Sequence, residues 1–174
     1  MIKTLNNLNG MEKKVHIMQE ATFGAGCFWG VEEAFRHVKG VLSTTVGFMG
    51  GTLKNPSYED VCTGKTGHAE VVFVVFDPAK VHYHDLLNVF WDIHDPTTLN
   101  RQGPDVGNQY RSAIFYYNKE QRTSAETSKI NNQQSGRYTK KIVTEITKAK
   151  EFYPAETYHQ RYLEKHGIAS CRRG

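Results

Sequence analysis

The run from Ala69 to Phe76 constrains the fold of this chain more than any other stretch. Only Glu70 interrupts a sequence of Ala, Val and Phe, the length is that of a strand, and Asp77-Pro78 stops it. A strand so nearly all apolar belongs near the centre of a sheet, because one with a solvated face would alternate. Its longest unbroken apolar part, Val71 to Phe76, is far short of the roughly 18 residues that span a membrane.

Around that strand, strand-like and helix-like segments follow one another. Val15 to Thr22 is expected as the first strand, with Phe23-Gly24-Ala25-Gly26 as the sharp turn after it. Phe28, Val31, Phe35 and Val38 then recur at spacings of three and four, which is one face of a helix. Val41 to Phe48 reads as a strand, and residues 52 to 68 as a long loop, a feature more often functional than idle in a compact domain. His82 to Ile93 is expected to be helical with Leu86, Leu87, Phe90 and Trp91 on one side. His94 to Arg111 reads as a polar loop, Ser112 to Tyr117 as a strand, Lys119 to Gln134 as a surface helix and Lys141 to Thr147 as a strand. From Lys148 to Gly174 the periodicity is weak.

Neither an internal repeat nor a linker divides the 174 residues, a length that suits one domain. The fold class is therefore α+β: a single domain with a mainly antiparallel sheet, helices packed on it, long functional loops and an irregular C-terminal tail. That domain is expected to span residues 15–174, behind a polar, asparagine-rich leader at 1–14. With 39% hydrophobic and 23% charged residues the chain lacks the composition of a disordered protein. The first ten residues carry no apolar core and no cleavage site of a secretory signal, so cytoplasmic residence is the default expectation. Net charge is +4, but basic residues after Arg137 are interleaved with acids, which describes a solvated face and not a nucleic-acid footprint. Three cysteines are too few for a disulfide scaffold and would stay thiols unless chemistry uses them.

Three places could carry such chemistry. Cys27, in Gly26-Cys27-Phe28-Trp29-Gly30, sits where a glycine turn enters a helix, and the positive end of the helix dipole is expected to favour its thiolate. A buried core thiol is the bland alternative. Glu70 stands at the head of the apolar strand, where desolvation would favour a neutral carboxyl suited to general-acid work; a solvated strand-edge Glu is the commoner case. The third, His94 to Ser112, packs polar and turn residues before a strand and can equally be a decorated connector.

Taken together these segments resemble one family, peptide methionine sulfoxide reductase type A. The matching strings are Gly-Cys-Phe-Trp-Gly at 26–30, Asn-Pro-Ser-Tyr through Thr-Gly-His-Ala-Glu at 55–70, His-Asp-Pro-Thr at 94–97, Arg-Gln-Gly at 101–103, Gln-Tyr-Arg-Ser at 109–112 and Glu-Thr-Tyr-His-Gln at 156–160. The resemblance implies a ferredoxin-like fold and an enzyme that reduces the S epimer of methionine sulfoxide, free or in proteins, as repair of oxidative damage. By the same resemblance Cys27 is the nucleophile, Glu70 the acid, Tyr58 and Tyr110 hydroxyl donors to the sulfoxide oxygen, and Asp105 a polar group acting through water. Phe28 and Trp29 match the wall that receives the substrate methyl. No cofactor or metal is implied. The partner is thioredoxin or a similar dithiol, the chain acting as a monomer away from membranes and nucleic acids.

A sulfoxide oxygen is a strong acceptor but a poor leaving group, so donors must protonate it as sulfur attacks. The resulting sulfenic acid on Cys27 can be trapped by a second thiol. Family members use a C-terminal cysteine for this, and many carry two. Here there is one, Cys171, beside Arg172 and Arg173, whose charges favour its thiolate. Cys62, next to Val61, is expected to be a packed thiol.

Two rival readings stay in view. One is a cysteine hydrolase or acyltransferase using His68, His82, His84, His94 or His159 as base, although Phe28-Trp29 would crowd an acyl pocket. The other is a metal-binding module on His82, His84, His94 and Asp95, in which His82 and His84 would point apart.

Overall fold

The structure, a computed structural model, describes residues 17–168. In chain order its elements are β1 (Gln19–Ala25), α1 (Phe28–Arg36), β2 (Val41–Met49), α2 (Tyr58–Cys62), β3 (Ala69–Phe76), α3 (Tyr83–Asp92), β4 (Arg101–Gln102), β5 (Asp105–Val106), β6 (Ser112–Tyr116), α4 (Lys119–Gln134), β7 (Glu145–Lys148), β8 (Tyr153–Pro154) and α5 (Tyr162–Lys165). The leader, the expected domain start at residue 15 and Cys171 lie outside the described residues.

The main sheet runs β7-β6-β1-β3-β2-β8, and β4 with β5 makes a separate hairpin. Both β1 and β2 pair antiparallel with β3, so they run parallel to each other with β3 between them, joined by α1 as a split βαβ unit. By the same logic β3 and β6 flank β1 and are joined through α3. The core order β6-β1-β3-β2 is the ferredoxin-like arrangement, to which β7 adds in parallel and β8 antiparallel. The α+β reading holds, and β3 lies inside the sheet.

Uniform apolarity in β3 reflects cover on both faces. Val72, Val74 and Phe76 pack with Phe23, Phe35, Leu86 and Phe90 under α1 and α3, while Val71 packs with Met49, Ala113 and Phe115 on the other side. On that second face Phe73 stacks on Phe152.

Several boundaries differ from the sequence expectation. The first strand lies at Gln19–Ala25, later than Val15 to Thr22, because Gly24 is not a turn residue: it pairs with Ala113. The turn is confined to Gly26, whose φ of 97° is a left-handed conformation open to glycine. The strand expected at Lys141 to Thr147, β7, begins at Glu145, since the backbone N–H groups of Ile142 and Val143 donate to Gln133 Oε1 and the Pro96 carbonyl. The loop expected at 52 to 68 contains α2, started by a capping box in which Ser57 and Asp60 exchange hydrogen bonds. The expected polar connector at His94 to Arg111 holds the β4–β5 hairpin.

The described part of the tail is better fastened than its weak periodicity suggested. Gln160 bonds the N–H and carbonyl of Val46 and the carbonyl of Ala155, and the Arg161 N–H donates to Glu32 Oε2 at 2.8 Å. Among the described residues no helix is long and apolar enough to cross a membrane.

Candidate active site

Strand β1 delivers the chain to Gly26, and Cys27 follows as the residue that caps α1. Strand β3 starts beside it: Glu70, 1% exposed, accepts the Phe28 N–H on Oε2 at 3.1 Å. Its other oxygen, Oε1, is buried with no hydrogen-bond partner among the described residues. Burial, and secondarily the charge of Asp105, push the Glu70 carboxyl up to about 8 against the opposing Phe28 amide, so it is neutral at pH 7. Because Oε2 is the acceptor, the acid proton belongs on the unpartnered Oε1.

The same burial acts on Cys27. Together with the charges of Glu70 and Asp105 it pushes the thiol up to about 12, although the amides of Trp29 and Gly30 pull the other way. The expectation of a thiolate favoured by the helix N-terminus is therefore corrected: desolvation outweighs the dipole, and the resting group is a thiol.

The remaining groups arrive from α2 and the β4–β5 hairpin. Tyr58 opens α2, Asp105 opens β5, and Tyr110 ends the 3₁₀ turn before β6. Burial followed by contact with Cys62 raises Tyr58, while burial followed by the Glu70 charge raises Tyr110 to about 12, so both remain hydroxyl donors. Cys27, Glu70, Asp105, Tyr58 and Tyr110 thus form one cluster: the Glu70 charge bears on Cys27, Tyr58 and Tyr110, and the Asp105 charge on Cys27, Glu70 and Tyr110. Segments up to 83 residues apart in the sequence meet there, from Cys27 to Tyr110.

A thiol beside a neutral buried acid and two phenols is suited to attack an atom whose attached oxygen needs protonating. Comparison with known proteins decides which. Residues 19–173 match the model of a family described as peptide methionine sulfoxide reductase. The chain belongs to that family.

Within it, the chain is 66% identical over 153 residues to a reductase, MsrA, of Methanothermobacter thermautotrophicus, covering 88% of this chain and 90% of that one. Among solved structures, the reduced form of Mxr1 from Saccharomyces cerevisiae superposes with a TM-score of 0.84 at 34% identity, over 92% of each chain. Mxr1 in complex with Trx2 matches at a TM-score of 0.60 and 26% identity, over 86% of this chain and 87% of that one. The chain is an oxidoreductase that reduces methionine sulfoxide by thiol chemistry.

Phe28 and Trp29 divide between the core and the rim of this reductase. Phe28 is 1% exposed and packs among Phe48, Tyr58 and His159, so it backs the site. Trp29 is half-buried, stacks on Tyr162 with ring centres 3.8 Å apart, and donates its indole N–H to His159 Nδ1 at 3.0 Å.

Cys62 departs from the packed thiol expected of it. On α2 its neighbour Val61 turns inward and is fully buried, which rotates Cys62 outward, where it is exposed and meets the Tyr58 hydroxyl. Two of the histidines invoked by the rival readings have other tasks. His68 receives the Gly51 N–H and bonds the Leu53 carbonyl; His94 bonds the Phe90 carbonyl and Ser112. The matching string at 156–160 contains Glu156 and His159, and His159 is also a candidate base in a rival reading, but sequence reasoning assigns neither of them nor Tyr162 a role at the site; nothing in their spacing foretells contacts with Trp29 and Tyr58 roughly 100 to 130 residues away.

Proposed function

We propose that this reductase acts on the S epimer of methionine sulfoxide, free and in proteins, with Cys27 as nucleophile and Glu70 as acid. The observation that carries the reading is the buried Glu70 carboxyl, bonded on Oε2 to the amide next to Cys27 and holding Oε1 without a partner among the described residues. Cys27 sulfur attacks the sulfoxide sulfur as its own proton leaves to solvent. Glu70 Oε1 gives a proton to the sulfoxide oxygen, aided by the Tyr58 and Tyr110 hydroxyls, and Asp105 orders water at the edge of the cluster. The S–O bond of the substrate breaks and oxygen passes to Cys27. Methionine sulfur is reduced by two electrons and Cys27 is oxidised by two, to the sulfenic acid. Trp29, backed by Phe28, receives the methyl group, the one part every substrate shares.

Regeneration in this reading uses Cys171. Its thiolate attacks the sulfenic sulfur, water leaves, and thioredoxin or a similar dithiol reduces the Cys27–Cys171 disulfide. One observation supports it: Tyr162, nine residues before Cys171 in the sequence, stacks on Trp29, two residues after Cys27. The setting in the reading is a monomer in the cytoplasm that repairs oxidised proteins, with no bound cofactor and no nucleic-acid or membrane partner.

Cys62 supports a second reading of the regeneration step, because its thiol is exposed and contacts Tyr58 inside the catalytic cluster. Thiol mapping separates the two. Cys171→Ser is expected to convert one equivalent of sulfoxide and then lose most thioredoxin-driven turnover, while Cys62→Ser keeps both. A Cys27–Cys62 disulfide after one turnover, seen by mass spectrometry, would transfer the role to Cys62.

The assignment as a whole is tested with each epimer of oxidised methionine and dithiothreitol as reductant. Consumption of the S epimer with the R epimer left intact is the expected result; preference for the R epimer would overturn it.

A further inference from the structure

Two polar atoms near the site have no task in the reaction just described. His159 is 1% exposed, and its Nε2 has no hydrogen-bond partner among the described residues; the same holds for Glu156 Oε2. They face each other at 3.9 Å. The other ends of both side chains are engaged, and by groups of the substrate pocket. His159 Nδ1 accepts the indole N–H of Trp29 at 3.0 Å, and Glu156 Oε1 accepts the backbone N–H of Tyr58 at 2.9 Å. The His159 ring also packs against Tyr58, with centroids 4.3 Å apart, and against Phe28 at 5.3 Å.

The ring's protonation follows from these partners. An Nδ1 that accepts from Trp29 is bare, so in the neutral ring the proton is on Nε2, facing the Glu156 carboxylate. Burial lowers the pKa of His159 and keeps the ring neutral, with Glu156 opposing that shift. At 3.9 Å the charge of the carboxylate favours, without a hydrogen bond, the tautomer that can hold the indole, and its other oxygen holds the first residue of α2.

We propose that Glu156 and His159 are positioning residues that keep Trp29, the methyl wall, in register with Tyr58, a donor to the sulfoxide oxygen, and so set how large an alkyl group the pocket admits. This rests on the pocket reading given above. Fixing both sides from one carboxylate leaves the width between wall and donor no freedom to adjust. If the wall were released, a longer alkyl sulfoxide would be admitted more readily than it is now. A single methylene is worth about 10–200-fold in kcat/KM when pocket walls are fixed.

The test compares kcat/KM for methionine sulfoxide and for ethionine sulfoxide, which carries one methylene more, with dithiothreitol as reductant. Wild type is expected to favour methyl by about tenfold or more. His159→Phe keeps a ring without the acceptor and should shrink that ratio at least threefold, roughly the loss expected for a wall that can move. His159→Asn, whose carbonyl oxygen can stand where Nδ1 accepts, should restore it. Glu156→Gln still accepts from Tyr58 but offers an amide to Nε2, favouring the wrong tautomer, and should act like His159→Phe. An unchanged ratio in His159→Phe, with both rates lowered equally, would overturn the proposal.

Trp29→Ala separates the layers of the argument. If it leaves the ratio intact, the pocket reading falls and the positioning role with it; if it collapses the ratio while His159→Phe does not, only the positioning role falls. Nitrogen-15 NMR of the wild-type ring gives a readout independent of activity and of any variant's folding: a bare Nδ1 and protonated Nε2 are expected, and the opposite tautomer would overturn the proposal.

Discussion

Replacing Cys27 by serine should yield a folded protein that reduces no methionine sulfoxide, whichever reductant is supplied. The two electrons that reduce the substrate come from the Cys27 sulfur, which can rise to sulfenic acid and be returned by a thiol. A serine oxygen has no such accessible oxidation state, and an alcohol is far harder to ionise than a thiol. The site would make it harder still, since the burial that raises Cys27 to about 12 acts on any anion there. Stability should move the other way. Cys27 occupies the position before α1 without a side-chain capping hydrogen bond, and serine is a preferred residue at that position. A capping gain of up to about 1 kcal/mol would raise the melting temperature by about 2–4 °C. Epimer assays with dithiothreitol, run beside thermal unfolding by circular dichroism, check both halves. Turnover of the S epimer by the serine variant would remove Cys27 from its role, and inactivity with a collapsed melting temperature would show only misfolding.

The parts of this fold that were legible in the sequence are those whose signal is local and long. The apolar length of β3 placed it inside the sheet, the spacing of Phe28, Val31 and Phe35 gave the buried face of α1, and Lys119–Gln134 is helical over its whole expected span. Short elements escaped. Five residues of α2 are too few to show a period, although Ser57 and Asp60 carried its cap; the two-residue strands β4, β5 and β8 exist because partners elsewhere hold them. Gly24 was misread because glycine marks turns on average, whereas here pairing with Ala113 of β6 holds it extended. The site divides in a similar way. Residue types and motif strings brought Cys27, Glu70, Tyr58, Asp105 and Tyr110 forward, and the fold brings them together. The ionisation of Cys27 and the exposure of Cys62 depend on what folds over them, so reasoning from a helix terminus or one apolar neighbour gave the wrong sign in both cases.

Changing Glu70 to glutamine isolates the acid from the nucleophile, because the two readouts it alters should move in opposite directions. Glutamine can still accept the Phe28 N–H and can present an N–H where Oε1 stands, but it cannot release a proton to the sulfoxide oxygen. Turnover should fall about 10²–10⁴-fold, the usual loss for a general acid. Tyr58→Phe and Tyr110→Phe are expected to cost less, since each hydroxyl can cover in part for the other. The pH profile should change shape as well. In wild type the productive form combines a Cys27 that has lost its proton with a Glu70 that retains one. Below about 8, raising the pH increases the thiolate while Glu70 stays protonated, so kcat/KM climbs; above about 8 the gain in thiolate is offset by loss of the Glu70 proton, and the profile levels off. The glutamine variant has no group to produce that break. Its thiol, freed from the Glu70 charge that helps raise it, should ionise more readily, so alkylation of Cys27 by iodoacetamide above pH 8 should be faster than in wild type even as turnover falls. A variant as active as wild type that keeps the break near pH 8 would move the acid role elsewhere, to Tyr58 or Tyr110. If alkylation and turnover instead slowed together, Glu70 would be acting on the thiol and not on the sulfoxide oxygen.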